Sequence, residues 1–187
     1  YSIATGDSSA EISLLEGNSG LKVVYYNQGD AAWKSIPYST STIGQSGCGP
    51  TSMAICISTL SGKKITPRQT CQWAGSQGYY VKGAGSKHDV IPGLAKKYGV
   101  KCKGVGKNKP QIIQALKTGK LVVAIMSAGH FTSGGHFIVL TGIKDGKITV
   151  ADCGSRQRTK QTWSLDLIVD ESNSSASAGG PFWIISK

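Results

Sequence analysis

The clearest hydrophobic pattern along the chain is a helical period that begins shortly before residue 50. Apolar side chains recur at the spacing i, i+3, i+4 and i+7, as Met53, Cys56, Ile57 and Leu60. Gly62 follows directly, and a glycine after the last periodic residue commonly ends a helix. The pattern predicts a helix that starts near residue 48 and ends before Gly62.

Three more helices are predicted in the middle of the chain. The segment Thr66-Pro67-Arg68-Gln69 is a capping-box pattern with proline at the first helical position. It opens a helix that ends by Gly78. The other two helices are predicted over 89–99 and 110–119, each with a glycine at its end.

Strand-sized apolar runs follow these helices. They are predicted at 121–126, in a hairpin over 136–152, and at 182–185. Helices first and antiparallel strands later is the order of an α+β fold. The sequence therefore predicts a helical lobe packed on an antiparallel sheet, with a cleft between the two.

The first twenty residues differ in composition from the rest of the chain, because they are polar and rich in serine and glycine. We interpret 1–20 as a linker or weakly docked N-terminal extension and 21–187 as one domain. Since the chain starts at Tyr1 and not at methionine, we expect it to be a matured or excised piece of a longer protein. No secretion signal opens it, and no apolar run approaches the roughly 20 residues of a membrane span.

The chain is strongly basic, with a formal net charge of +11. Ten lysines and a single acid, Asp89, lie between Lys82 and Lys120. Such a surface attracts an anionic polymer, or it is only a solvated surface. Arginines are scarce and no stacking aromatic residues accompany the lysines, so we expect no nucleic acid. An anionic polymer of a bacterial wall is the remaining candidate partner.

Cys48 stands between Gly47 and Gly49 at the predicted start of the first helix. Unpaired N–H groups and the helix dipole favour an anion there, which lowers a thiol pKa from about 8.5 toward neutrality. Cys48 is therefore a candidate nucleophile, and we expect the two glycines to leave the approach to its sulfur open. The alternative is a buried structural cysteine.

The predicted hairpin offers a base and an acid that could orient it. His136 opens a buried strand, and Asp152 ends the return strand. A cysteine nucleophile needs a base to take its proton, and the base needs an acceptor that fixes its tautomer. An ordinary turn acceptor is the alternative for Asp152. His130 is the rival for the base, because a phenylalanine follows it too.

The length of the hairpin turn decides whether His136 and Asp152 can meet. A two-residue turn would pair Asp152 with Val139 and place it on the opposite face of the sheet from His136. A three-residue loop over 144–146 pairs Asp152 with Ile138 and makes His136 its diagonal neighbour. A catalytic pair therefore requires the three-residue loop or a bulge.

Four motifs together resemble one family of cysteine peptidases. They are Gln28-Gly29-Asp30, the run Gly-Cys-Gly-Pro-Thr-Ser-Met-Ala at 47–54, Gly135-His136-Phe137, and Asp152. The combination is similar to papain-like cysteine peptidases of the bacteriocin-processing, double-glycine leader peptidase type, in particular to their stand-alone, secreted, wall-associated relatives. The resemblance covers roughly residues 22–187 and implies a papain-like α+β fold.

The resemblance also implies roles for individual residues. Cys48 would be the nucleophile, His136 the general base and acid, and Asp152 the partner that orients His136. An upstream glutamine would donate to the oxyanion hole. Gln28 fits the motif context, and Gln45 is the competitor because it lies closer to the cysteine.

Four further cysteines permit three full pairings if they are oxidised: Cys56, Cys71, Cys102 and Cys153. Cys56 lies on the apolar face of the first helix, so we expect a small buried hydrophobe. Cys153 stands where the family more often has proline. No pair of cysteines or histidines has metal-ligand spacing, so we expect neither a metal nor another cofactor.

Three functional hypotheses follow, and they differ in what the domain acts on. The first is a cysteine peptidase that hydrolyses peptide bonds of bacterial or phage cell-wall peptidoglycan, secreted or associated with the wall. The second is a peptidase that processes proteins or leader peptides, and the third is a non-catalytic wall-binding module on the same fold. We expect a monomer that binds a peptide or a peptidoglycan stem peptide.

Overall fold

The computed structural model describes residues 2–7, 10–16 and 21–187 of the chain. The helices in these ranges are α1 (Ile43–Ser46), α2 (Cys48–Ser61), α3 (Pro67–Ser76), α4 (Val90–Tyr98), α5 (Lys109–Lys117), α6 (Arg156–Thr159) and α7 (Leu165–Glu171). The strands are β1 (Ser2–Asp7), β2 (Ala10–Glu16), β3 (Lys22–Tyr25), β4 (Pro37–Tyr38), β5 (Ser41–Thr42), β6 (Tyr80–Val81), β7 (Gly85–Ser86), β8 (Lys101–Gly106), β9 (Leu121–Met126), β10 (His136–Lys144), β11 (Lys147–Ala151), β12 (Thr162–Trp163) and β13 (Phe182–Ser186).

One antiparallel sheet organises the domain. Its strands follow the order β12-β11-β10-β9-β13-β8. Helices α2 and α4 pack on one face, against Val123, Phe137 and Val139, and helices α5 and α7 cover the other face, against Val122 and Ile138. Because both faces are covered, every residue of β9 is buried. The α+β fold expected from the order of the patterns is confirmed.

The first predicted helix is α2, with Cys48 as its first residue and Ser61 as its last. Gly62 follows with a φ of 72°, the left-handed conformation that a glycine adopts without steric cost. Nearly the whole helix is buried, including polar residues such as Ser52 and Ser58. The apolar period therefore located the helix but understated its burial, because the sheet, α3 and α4 surround it.

The other predicted helices are also present. Thr66 and Gln69 form the predicted capping box at the start of α3, and the Thr66 backbone N–H donates to Gln69 Oε1 at 2.9 Å. Helix α4 ends at Tyr98, directly before the expected Gly99, and α5 ends at Lys117, two residues before Gly119. The sequence patterns did not predict α1, α6 and α7, or the edge strand β8.

The turn between β10 and β11 has two residues, Asp145 and Gly146. Both have positive φ, 52° and 76°, and Lys144 lies opposite Lys147. These dihedral signs are those of a type I′ turn, which matches the twist of a hairpin. The three-residue loop predicted as one of two options is therefore wrong.

The other option, a bulge, is correct. The register of the hairpin shifts after Leu140, so that Val139 lies opposite Ala151. Continued by one residue, this register places Asp152 beside the start of β10 on the same face as His136. The bulge thus supplies the one extra residue in the pairing of β10 with β11 that a three-residue loop would otherwise have supplied.

The chain before β3 contains two strands that the sequence interpretation did not include. Strand β1 pairs with β2, and β2 pairs with β3, all antiparallel. The division into an extension over 1–20 and a domain over 21–187 stays a prediction. Within the described ranges, no helix has both the length and the apolar character needed to cross a bilayer.

Candidate active site

Cys48 is half-buried at the N-terminus of α2, between two glycines that are themselves buried. A Cβ on Gly47 would lie 2.7 Å from the carbonyl oxygen of Ile43, and a Cβ on Gly49 would lie 3.2 Å from the ring of Phe137. The glycines therefore allow α1 and β10 to pack closely against the start of α2. That they also leave the approach to the sulfur open stays a prediction.

The thiol of Cys48 is a hydrogen-bond partner of the His136 imidazole. Burial alone disfavours the thiolate. The hydrogen bond and the charge of His136, together with the backbone N–H groups of Phe137 and Gly49, outweigh burial and hold the pKa of Cys48 below its ordinary value. The helix N-terminus favours the same anionic state.

His136 connects the thiol to a buried carboxylate. Its Nε2 lies 2.6 Å from Oδ1 of Asp152, and the His136 side chain is 12% exposed whereas that of Asp152 is fully buried. Burial alone lowers an imidazole pKa, but the hydrogen bonds with Asp152 and Cys48 raise the pKa of His136 to about 10. The predicted contact of His136 with Asp152 is confirmed. Because Nε2 bonds the carboxylate, Nδ1 is the ring nitrogen left for the thiol.

Asp152 has a second charged partner that the sequence reading missed. Arg158 Nε donates to Oδ2 of Asp152 at 2.6 Å, and the backbone N–H of Gly154 donates to Oδ1 at 2.9 Å. Burial would raise the pKa of this carboxyl, but His136 and Arg158 hold it below its ordinary value. A basic residue on the helical turn just after a strand-end acid is the signal that could have revealed Arg158.

In this arrangement the thiolate can attack a carbonyl carbon, and the imidazolium can pass a proton to the leaving group. The buried carboxylate holds the imidazolium in place. A family model described as the Peptidase_C39 like family matches residues 20–177. The chain belongs to this family. It is therefore a cysteine peptidase, a hydrolase that acts on peptide bonds. This membership favours an enzyme over a non-catalytic wall-binding module.

Two crystal structures share the fold of this C39-like peptidase. One is a Bacillus anthracis protein described as a C39-like peptidase, with 16% identity, a TM-score of 0.54, and coverage of 94% of this chain and 98% of that one. The other is the peptidase domain of Streptococcus ComA, a bi-functional ABC transporter involved in a quorum-sensing pathway. Its identity is 13%, its TM-score 0.51, and the match covers 75% of this chain and 91% of that one. These likenesses show the papain-like fold, and no curated protein matches the sequence.

Gln28 is buried between α1 and the residue that follows Asp152. Its amide nitrogen donates to the carbonyl oxygens of Ile43, at 3.3 Å, and Gly44, at 3.1 Å. Both N–H groups of the amide therefore have partners in the C39-like peptidase, and the oxyanion role of Gln28 stays a prediction. Gln45 is exposed on α1, and its competing role also stays a prediction.

Cys153 lies directly behind Cys48. Its Sγ is 3.5 Å from the carbonyl oxygen of Cys48 and 3.3 Å from Oε1 of Gln28. Burial raises the pKa of Cys153 well above its ordinary value, and the charges of Cys48 and Asp152 add to this rise. Cys153 is therefore a neutral donor that holds the Gln28 amide. A proline at this position would offer no such donor.

The cysteines, all of which lie in described residues, are free thiols. The three pairings that the sequence left open are therefore absent. Burial raises the pKa of Cys56 and Cys71, and it raises that of Cys102 to about 11. Cys48 is thus the thiol with the largest thiolate fraction at neutral pH.

His130 and His88 lie outside the site. Nδ1 of His130 lies 2.5 Å from Oε2 of Glu171, and the His130 side chain is 59% exposed. Nδ1 of His88 accepts a hydrogen bond from the backbone N–H of Ser177 at 3.1 Å. Among the histidines it is therefore His136 that the fold brings to the thiol. In the described part of the chain, no cluster of three His, Cys, Asp or Glu side chains has the geometry of a metal site.

Proposed function

We propose that Cys48 is the nucleophile of this C39-like peptidase, that His136 is its general acid and base, and that Asp152 orients His136. The observation that carries this proposal is the hydrogen-bonded chain from Cys48 through His136 to Asp152. Asp152 accepts from Nε2 and so fixes the tautomer in which Nδ1 faces the sulfur.

The reaction has two halves. The Cys48 thiolate attacks the carbonyl carbon of the scissile bond, and a tetrahedral oxyanion forms. His136 then gives its Nδ1 proton to the leaving amine as the C–N bond breaks, which leaves a thioester on Cys48. Neutral His136 next takes a proton from water, the water oxygen attacks the thioester, and the carboxylic acid leaves. The thiolate and the imidazolium are thereby restored.

We propose Gln28 as the second oxyanion donor, beside the backbone N–H of Cys48. Its amide nitrogen would exchange one of its two long bonds, to Ile43 or Gly44, for the oxyanion. Gln28→Ala should then lower kcat by about 100- to 1000-fold, and it should also lower the thermal unfolding midpoint, because the buried partners of the Gln28 side chain lose their hydrogen bonds. Gln45→Ala is the matched control and should keep nearly full activity. The reverse result would assign the role to Gln45.

For the substrate, we propose peptide bonds of bacterial cell-wall peptidoglycan. A groove of about 480 Å³ between β8, α5 and β13 supports this choice. Exposed Lys101, Lys103 and Lys120 line it beside neutral Gln111 and Thr118, and none of the three lysines forms an ion pair with another described residue. We call this feature the lysine groove. Its charge suits a phosphate-bearing wall polymer, which would hold the peptidase on its substrate.

Purified sacculi and casein should separate the wall substrate from a general protein substrate. We expect new peptide termini, identified by mass spectrometry, from sacculi and not from casein. Binding to sacculi should weaken steeply between about 0.15 M and 1 M salt, because screening shortens from about 8 Å to about 3 Å. Replacing Lys101, Lys103 and Lys120 by glutamine should abolish most of this binding.

The control for the lysine groove is a variant with the same loss of charge elsewhere, in which exposed Lys63, Lys144 and Lys147 become glutamine. It should bind sacculi nearly as well as the unmodified protein. Equal binding by both triple variants would show that the groove is only a solvated surface. Cleavage of sacculi without salt-dependent binding would keep the wall substrate and remove the polymer partner.

The second candidate is processing of proteins or leader peptides. The likeness to the peptidase domain of ComA, which spans 75% of this chain, favours it. Its signature would be cleavage of casein or of a leader peptide by a protein that leaves sacculi intact. The Cys48, His136 and Asp152 roles are the same under both candidates.

A further inference from the structure

Every polar atom of Asp152 has a partner. Its backbone N–H donates to the Thr159 hydroxyl at 2.9 Å, and its carbonyl oxygen accepts from the Tyr25 hydroxyl at 2.7 Å. Oδ1 faces His136 and the backbone of Gly154, as described above. Oδ2 is left for a single strong donor, the Nε of Arg158 at 2.6 Å. The carboxylate therefore cannot rotate without breaking a charge-assisted bond.

The short helix α6 is built so that Arg158 reaches back to Asp152. Ser155 caps α6, and its hydroxyl accepts from the Arg158 backbone N–H at 3.0 Å. The indole N–H of Trp163 donates to the Arg158 carbonyl oxygen at 3.2 Å, which holds the other side of the same residue. The Arg158 side chain is 28% exposed, so its guanidinium stays partly shielded from water.

Arg158 also balances the charges of the site. Cys48 and Asp152 carry two negative charges in the reactive state, and His136 carries one positive charge. Without Arg158 these three side chains, which are half-buried or fully buried, would have a net charge of −1. An unpaired charge is costly away from water. With Arg158 the four groups sum to zero.

We propose that Arg158 is a positioning residue for the peptidase reaction: it binds Oδ2 of Asp152, turns Oδ1 toward His136, and supplies the fourth charge that makes the site neutral. This inference rests on the proposed function, because it acts through Asp152 and His136. It goes beyond the Cys, His, Asp and Gln roles by adding a group that touches neither the substrate nor the sulfur.

The groups that face Asp152 determine the pH behaviour to expect. They are His136 on β10, Arg158 on α6 and the Cys153 thiol next to it in the chain, with Tyr25 on β3 and Cys48 on α2 further along the network. Removal of one positive charge raises the pKa of each neighbouring acid. In Arg158→Gln, the pKa of both Asp152 and Cys48 should therefore rise.

The test compares Arg158→Gln, Arg158→Lys and Arg156→Gln. Arg156 is the control because it lies on the same helix and pairs with a different carboxylate, Asp30, at 2.9 Å. The first readout is alkylation of Cys48 by iodoacetamide as a function of pH, followed by mass spectrometry, which needs no substrate. The second is hydrolysis of sacculi or casein, whichever the unmodified protein cleaves.

Alkylation of Cys48 falls at low pH as the thiolate gains a proton, and we call this fall the acid limb. In Arg158→Gln the acid limb should move to higher pH, because the pKa of Cys48 rises. A rise of about one pKa unit lowers the thiolate fraction about tenfold at a pH below the pKa. Hydrolysis at pH 7 should fall roughly 10- to 100-fold, by analogy with the loss seen when an outer-shell partner of a metal ligand is removed. Arg158→Lys keeps the charge, so the limb should stay in place and hydrolysis should fall less. Arg156→Gln should leave the limb unmoved.

Two outcomes would overturn the inference. One is an acid limb that stays in place in Arg158→Gln. The other is an equal shift of that limb in Arg158→Gln and Arg156→Gln, which would indicate only a general charge or folding effect. If Arg158→Gln does not fold, Arg158→Lys is compared with Arg156→Gln instead. The inference then requires Arg158→Lys to hydrolyse the substrate more slowly than Arg156→Gln, because a lysine cannot reproduce the bond from the arginine Nε to Oδ2 of Asp152. Full activity of Cys48→Ala would instead remove the proposed function itself.

Discussion

Cys48→Ala should abolish peptide hydrolysis while the fold stays intact. Loss of a covalent nucleophile lowers kcat on the order of 10⁶-fold in a comparable hydrolase. The side chain is small and half-buried at the first position of α2, so alanine leaves almost no cavity. Hydrolysis of sacculi or casein measures the first effect, and the thermal unfolding midpoint measures the second.

Iodoacetamide supplies an independent check on the same residue. At pH 7 it should label Cys48 before Cys71 or Cys102, because the pKa of Cys48 is lowered whereas burial raises the other two. Since the pKa is lowered, labelling should persist at pH values where ordinary thiols are already protonated. Preferential labelling of Cys71 or Cys102 would contradict the assignment, and so would a Cys48→Ala variant that still hydrolyses peptides.

Local signals predicted the helices well because those signals act over a few residues. The capping box at Thr66 and the left-handed glycine at Gly62 need no knowledge of the rest of the fold. Strand β8 was missed because its lysines and glycines have no strand pattern of their own. Its hydrogen bonds come from β13, about eighty residues later in the chain. A contact across such a separation leaves no local pattern.

The hairpin shows the same limit within one element. The sequence requires an odd register if His136 and Asp152 are to meet, and that requirement is correct. It could not distinguish a longer turn from a bulge. The Asp145-Gly146 turn takes the two-residue form, and the bulge after Leu140 makes up the difference. No residue type at the bulge indicates its position in the sequence, because the surrounding sheet determines where the extra residue fits.

The candidate site was predictable where chemistry and position in the chain coincide. Cys48, His136 and Asp152 each stand at the end of a regular element, and such ends meet at an edge of the core. Arg158 and the direction of the Gln28 amide depend on side-chain contacts made after the elements pack. The thiol of Cys153 is the clearest example, since its only sequence signal was an unexpected residue type and its role lies in a contact with Gln28.

His136→Ala should lower the hydrolysis rate by about 10²- to 10⁴-fold, the usual contribution of a positioned acid and base. It should also raise the pKa of Cys48, because the thiolate loses the hydrogen bond and the charge that offset its burial. Iodoacetamide labelling of Cys48 at pH 7 should therefore slow in the same variant. The two measurements together separate the loss of proton transfer from the loss of the thiolate.

His130→Ala is the matched control, because His130 is also followed by phenylalanine and also bonds a carboxylate. That carboxylate is Glu171, and the His130 ring is mostly exposed. This variant should change neither hydrolysis nor the labelling of Cys48 by more than a small factor. In the unmodified protein, hydrolysis should fall in acid as Cys48 gains a proton, and should fall again near pH 10 as His136 loses the proton it gives to the leaving amine. Equal losses in the two histidine variants would mean that His136 is not the base. Loss of the alkaline limb without loss of rate would mean that its proton is not the one transferred.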